Sequence, residues 1–152
     1  MVQLFRKVLC PIDFSENSLA ALNVALKVAQ QNDAKLYLLN VAPVPAGAAG
    51  FQPVPMDAYP FHEEDRQEEL AELARERIPD AVRCETLVMS GDPAERVLET
   101  ARGLAADLIV MGTHGRRGLS HLVLGSVAER VVRESPVPVL SVHANAPVRK
   151  AS

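Results

Sequence analysis

The stretch from Gly112 to Ser126, GTHGRRGLSHLVLGS, is the part of the chain best equipped to hold an anion. It carries four glycines, two adjacent arginines and two histidines, and it closes on Gly-Ser where a helical pattern begins. Glycine permits positive φ and lets a ligand approach the backbone closely, and Gly112 and Gly115 are read in that role. Successive N–H groups in such a turn form an anion nest. A helix that starts at Gly125-Ser126 adds unpaired N–H groups and the positive end of its dipole. Arg116 and Arg117 bring charge. Together these features fit phosphate. The stretch is not a Walker loop, because no Gly-Lys-Ser/Thr occurs, and not a dinucleotide fingerprint, because no Gly-x-Gly occurs. Ser126-Val127-Ala128-Glu129 also reads as a capping box, which gives Ser126 a structural role as the cap.

Elements that could position this stretch alternate along the chain. Apolar runs at 4–10, 35–42, 84–89, 107–111 and 137–142 read as strands. Helical patterns lie between them. Ser15 can cap a helix over 16–31 with Leu19, Leu22, Leu26 and Ala29 on one face. Residues 62–77 begin acidic and end with Arg75 and Arg77, the sense that suits the helix dipole. Asp92-Pro93-Ala94-Glu95 is a helix start, with Val97, Leu98, Ala101 and Leu104 as its apolar face. The last helix runs from Ser126 to Glu134 with Val127, Val131 and Val132 inward. This alternation predicts an α/β fold, a single doubly wound domain over residues 1–144. Its sheet is five-stranded and parallel, in order 3-2-1-4-5, with helices on both faces. Residues 43–60, PVPAGAAGFQPVPMDAYP, form a proline- and glycine-rich loop, either an insertion or a lid, and the composition favours the insertion. The tail 145–152 reads as disordered.

Composition narrows the partners. The chain has 152 residues and a formal charge of −3, which argues against a nucleic-acid binder. With four Phe, two Tyr and no Trp, the core must be aliphatic. No apolar run approaches the ~20 residues of a membrane span, and Arg6 and Lys7 interrupt the first apolar stretch, which makes it a poor signal peptide. Cys10 and Cys84 lack metal or redox spacing and read as buried free thiols. The expected compartment is the cytoplasm.

In an open α/β sheet, ligands bind beyond the carboxyl ends of the strands where the strand order reverses. Here that point lies between strands 1 and 4, which sets Pro11-Ile12-Asp13-Phe14-Ser15 beside the glycine stretch. Asp13 serves either an Asx turn or a ribose or metal-bound water, and its place at the switch point favours the ligand. His114 reads as a hydrogen-bond donor rather than a nucleophile activator. His62, His121 and His143 read as surface residues.

The spacing Gly112-x2-Gly115-x9-Gly125-Ser126 resembles the nucleotide-binding motif of the universal stress protein family, in its ATP-binding branch. KVLCPIDFSENS, LLNV, SGDPAE and GSVAERVVRESPVPVLSV extend the resemblance over nearly the whole chain. It implies the adenine nucleotide alpha-hydrolase-like fold and a role for each matching residue. Pro11, Ile12 and Asp13 would line adenosine and approach the phosphates. The backbone of Val41 would meet the adenine edge. Met111, Gly112, His114, Gly115 and Arg116 would form the ribose and phosphate loop. Gly125, Ser126 and Val127 would hold the terminal phosphates, with Mg²⁺ bridging them near Asp13. It further implies a homodimer through the 137–142 edge strand, an edge open to pairing. The expected function is an ATP-binding, nucleotide-responsive stress regulator with no or slow hydrolysis. The alternative is a slow ATPase or nucleotidyl-transfer enzyme.

Overall fold

Alternate residues of the strands face opposite sides of the sheet, and both sides are apolar, so helices must cover both. The computed structural model describes residues 3–42, 44, 63–114 and 124–144. The order is β1 (Lys7–Pro11), α1 (Glu16–Asn32), β2 (Lys35–Ala42), α2 (Glu63–Arg77), β3 (Cys84–Ser90), α3 (Pro93–Leu104), β4 (Leu108–Gly112), α4 (Ser126–Glu134) and β5 (Val139–Val142). The sheet is five-stranded, in order β3-β2-β1-β4-β5, and every pairing is parallel. Fold class and strand order are those expected. The 43–60 loop, apart from Val44, and the 145–152 tail lie outside the described residues.

Two apolar layers follow from the alternation. Val8, Cys10, Leu36, Leu38, Leu108 and Val110 pack with residues of α1 and α2. Leu9, Tyr37, Leu39, Ile109 and Met111 pack with residues of α3 and α4. Ser15 caps α1, its side chain accepting from Ser18 N–H, and Asp92 caps α3 from its own side chain, accepting from Glu95 N–H. Each such cap is worth about 1 kcal/mol.

Five expectations need correction. The first strand starts at Lys7, not at residue 4: Leu4 is 70 % exposed, and the amides of Arg6 and Lys7 donate to the Asp107 carboxylate at 2.8 and 3.0 Å. The face of α1 turned most fully to the sheet holds Ser18, Ala21, Leu22, Ala25 and Ala29, while Leu19 and Leu26 flank it half-buried. Alanines let the helix lie close to the strands, and the leucines then fill the margins. In α4 the buried residues are Ala128 and Val131; Val132 is 45 % exposed. The fourth correction concerns the cap of that helix. Gly125 is its N-cap, with no side-chain cap bond, and Ser126 is the first helical residue. Finally, Cys84 is half-buried rather than buried. Both thiols are unpaired; burial pushes Cys84 up to about 11 and holds Cys10 still further above the ordinary thiol range.

Candidate functional site

Parallel strands all end on one side, and β1 and β4 are neighbours there. The turn after β1 and the residues after β4 therefore meet. The β1–α1 turn is held tightly. Ile12 N–H donates to Leu39 O at 2.8 Å, and Ile12 O accepts from Asn40 Nδ2 at 2.7 Å. Asn40 is 2 % exposed, and its Oδ1 takes a 2.8 Å bond from Arg66 Nη1 on α2. Leaving one of these buried groups unmade would cost about 1–3 kcal/mol. Phe14 sits at φ 65, a left-handed conformation that a bulky side chain seldom adopts. It lets Asp13 turn back on the helix start: Asp13 Oδ1 accepts from Ser15 N–H at 2.9 Å, and Asp13 N–H donates to Ser18 Oγ at 3.3 Å. The Asx turn is therefore present.

Gly112 corrects a further reading. Among the described glycines the one at positive φ is Gly91, at 134°. Gly112 is the last residue of β4, and a Cβ there would lie 2.8 Å from the carbonyl carbon and Cβ of Asn17 and 2.9 Å from Ser18 N. Glycine is needed because α1 begins against it, not because the chain turns left-handed. Gly115 and Arg116 lie outside the described residues, as do His62 and His121.

Beyond β4, Thr113 N–H donates to Val142 O at 2.9 Å, and Gly125 N–H donates to Thr113 O at 2.5 Å. That bond seats the start of α4 on the end of β4. Gly125 O accepts from Glu129 N–H, so by helix geometry the N–H groups of Ser126, Val127 and Ala128 have no backbone partner within the helix. His114 is 7 % exposed, and its Nε2 has no hydrogen-bond partner among the described residues. Its Cδ2, bonded to that nitrogen, would lie 3.8 Å from a Cβ on Gly125. Among the described residues, a buried imidazole nitrogen without a partner thus lies beside Gly125, the N-cap of α4, whose next three N–H groups have no backbone partner within the helix.

The other expected residues divide. Pro11 ends β1, and Val41 lies near the end of β2. Ile12 and Met111 are 2 % and 4 % exposed and belong to the core. Val127 packs on the α3 and α4 layer, and Ser126 is exposed. Four residues that order this face escaped the reading of the sequence. Asn17 Nδ2 donates to His114 O at 3.2 Å, and Asn17 Oδ1 accepts from Ala144 N–H at 2.8 Å. Thr113 and His143 join His114 in a hydrogen-bonded chain. Asn40 had a readable signal, a polar amide inside the run LLNV; a buried amide must be satisfied. Among the described residues no group of three or more His, Cys, Asp and Glu could hold a metal, and no helix is long and apolar enough to cross a membrane.

Residues 4–143 match the model of the Universal stress protein family. A universal stress protein of Thermus aquaticus is 37 % identical over 145 residues, spanning 91 % of this chain and 99 % of the relative. One from Methanocaldococcus jannaschii is 35 % identical over 144 residues, spanning 91 % and 82 %. A solved universal stress protein in complex with cAMP superimposes with a TM-score of 0.68 at 28 % identity, covering 93 % of this chain and 99 % of that one.

Proposed function

The chain belongs to the universal stress protein family, and on that premise we propose that the carboxyl face of its sheet binds an adenine nucleotide, with ATP and Mg²⁺ as the ligand pair of a stress-response regulator. One observation carries the reading: among the described residues the buried Nε2 of His114 has no partner, and the ring lies beside Gly125, the N-cap of α4, at the switch point of the sheet. A buried polar nitrogen without a partner calls for a ligand atom or water. The solved relative with cAMP supports the adenine class. Pro11, Ile12 and Val41 would meet adenosine through their backbones. His114, Gly125, Ser126 and Val127 would hold phosphate, with Gly112 and Met111 beneath them and Gly115 and Arg116 from the adjoining loop. Mg²⁺ commonly keeps several waters and binds through phosphates plus one or two carboxylates, and Asp13 is the carboxylate on the turn after β1.

Calorimetric titration with ATP and Mg²⁺, and separately with AMP and cAMP, tests the reading. Saturable binding with one nucleotide per chain is expected. Absence of heat with all three, in protein shown by extraction to carry no adenine-absorbing ligand, would overturn it. Phosphate release followed in the same samples addresses the slow ATPase. Asp13 already accepts from Ser15 N–H, and its replacement by alanine should abolish any turnover that occurs.

Assembly through the 137–142 edge belongs to the same proposal. β5 lies at the edge of the sheet and begins at Val139, after Pro136 and Pro138. Leu140 on β5 and Val132 on α4 are 42 % and 45 % exposed, apolar surface that a second copy would cover. Sedimentation velocity should give a dimer for the native chain and a monomer for Leu140→Glu. A native monomer would sink the idea.

A further inference from the structure

Three residues at the carboxyl end of β4 and β5 form a chain that the binding of nucleotide does not by itself explain. His114 Nδ1 lies 3.1 Å from Thr113 Oγ1, and the same oxygen lies 3.1 Å from Nδ1 of His143. The two rings meet edge to face, 5.8 Å between centroids and 68° between planes. His114 is buried, whereas His143 is exposed just beyond β5. A hydroxyl has one proton to donate. Between two imidazole nitrogens, Thr113 donates to one and must accept from an N–H on the other. With His114 neutral, only two arrangements satisfy both contacts. In the first, His114 carries its proton on Nδ1 and its Nε2 is a bare acceptor. In the second, His143 donates from Nδ1 to Thr113, Thr113 donates to His114 Nδ1, and the proton of His114 sits on Nε2. A protonated His143 has N–H on both nitrogens and allows only the second.

We propose that Thr113 and His143 are positioning residues that set the tautomer of His114, so that proton uptake converts the buried Nε2 from an acceptor into a donor toward an anionic ligand at the start of α4. The step balances with one proton taken up from water. That proton adds to His114 Nε2, the Nδ1 proton of His114 passes to Thr113 Oγ1, and the Thr113 proton passes to Nδ1 of His143. The positive charge ends on the exposed ring. An acceptor Nε2 repels phosphate oxygen, and a donor Nε2 binds it. Affinity for an anionic ligand should therefore rise as pH falls through the range in which histidine changes charge.

Among the described residues, Asn17 donates to the His114 carbonyl and Gly125 lies beside its ring, and neither titrates. The charged groups on the surrounding elements are Asp13 on the β1–α1 turn, Glu16 in the first turn of α1, and Glu129 and Arg130 in the first turn of α4. Arg116 and Arg117 lie outside the described residues.

The identity of the ligand rests on the nucleotide reading, whereas the relay does not. The test therefore has two readouts. Imidazole ¹⁵N shifts of the ligand-free protein, followed from about pH 8 to about pH 5, report the tautomer directly. In the native chain the His114 Nε2 signal should move from bare to protonated character in step with the titration of His143. In His143→Gln, a change at an exposed position, the His114 tautomer should not respond to pH. Thr113→Val keeps the charge of His143 but breaks the chain, so His143 should titrate while His114 does not follow. A His114 tautomer that stays constant in the native chain would overturn the proposal. The second readout is affinity for cAMP, a phosphodiester whose own charge is constant over this range. It should tighten about tenfold across the same pH interval in the native chain and less than about twofold in either variant. Equal tightening in Thr113→Val would assign the effect to the charge of His143 alone and overturn the relay. A tautomer that responds to pH in a chain that binds no nucleotide would leave the relay standing and reject the nucleotide reading.

Discussion

Replacing Gly112 with valine is expected to lower stability by about 3 kcal/mol and the midpoint of thermal unfolding by roughly 10 °C. The Cβ would fall 2.8 Å from two atoms of Asn17 and 2.9 Å from Ser18 N. Two of those three atoms are backbone, and the third is a Cβ fixed to it, so no flexible side chain can swing away. The first turn of α1 must move instead. That turn carries the Ser15 cap, the Asp13–Ser18 contact and the Asn17 bridge between His114 and Ala144. Moving it loosens all three together, which places the cost at the upper end of ordinary overpacking. Because the obstacle is volume and not φ, alanine should be destabilising too, by less than valine. Urea denaturation of the three proteins decides the matter. Stabilities within about 0.5 kcal/mol of one another, the range of ordinary surface changes, would mean that α1 is not seated on Gly112.

The strand order could be read from the sequence because alternating elements and right-handed crossovers leave few ways to build the sheet. Positions of individual side chains were legible only where the partner is local. Ser15 and Asp92 cap helices that begin beside them, and both were readable. Ser126 failed for a non-local reason: Thr113 O takes the Gly125 N–H and seats the helix one residue earlier than the capping-box pattern implies. Gly112 failed likewise, since the atoms that demand a glycine belong to Asn17 and Ser18, far back in the chain. Arg66 reaches Asn40 across 26 positions, and Ala144 reaches Asn17 across 127. His143 looked like a surface histidine and is one by exposure. Only the fold brings its ring to Thr113 and, through it, to His114, which among the described site residues is both buried and missing a partner.

The motif's third glycine should separate binding from folding. In Gly125→Val, affinity for adenine nucleotide is expected to fall by about a hundredfold, close to 2.7 kcal/mol. Stability should fall less than in Gly112→Val. At φ −71 and ψ 166 the residue is in ordinary extended backbone, so valine meets no conformational penalty from a positive φ. Space is what it lacks. A Cβ would lie 3.0 Å from Thr113 O, 3.5 Å from the Cα of His114 and 3.8 Å from its Cδ2. The first contact asks the Thr113 carbonyl to give by a few tenths of an ångström, which strains the bond that seats α4 on β4. The added methyl groups then crowd the gap between the His114 ring and the first turn of α4, the gap in which a phosphate would meet both. Valine is also a poor N-cap, which adds about 1 kcal/mol of helix destabilisation. Titration of native and variant chains with ATP and Mg²⁺, beside thermal unfolding of each, reads the two effects apart. A folded variant that has lost the nucleotide puts the ligand at the start of α4. A folded variant that binds as tightly as the native chain would show that any nucleotide lies elsewhere, and that Gly125 serves only to pack the helix on the strand.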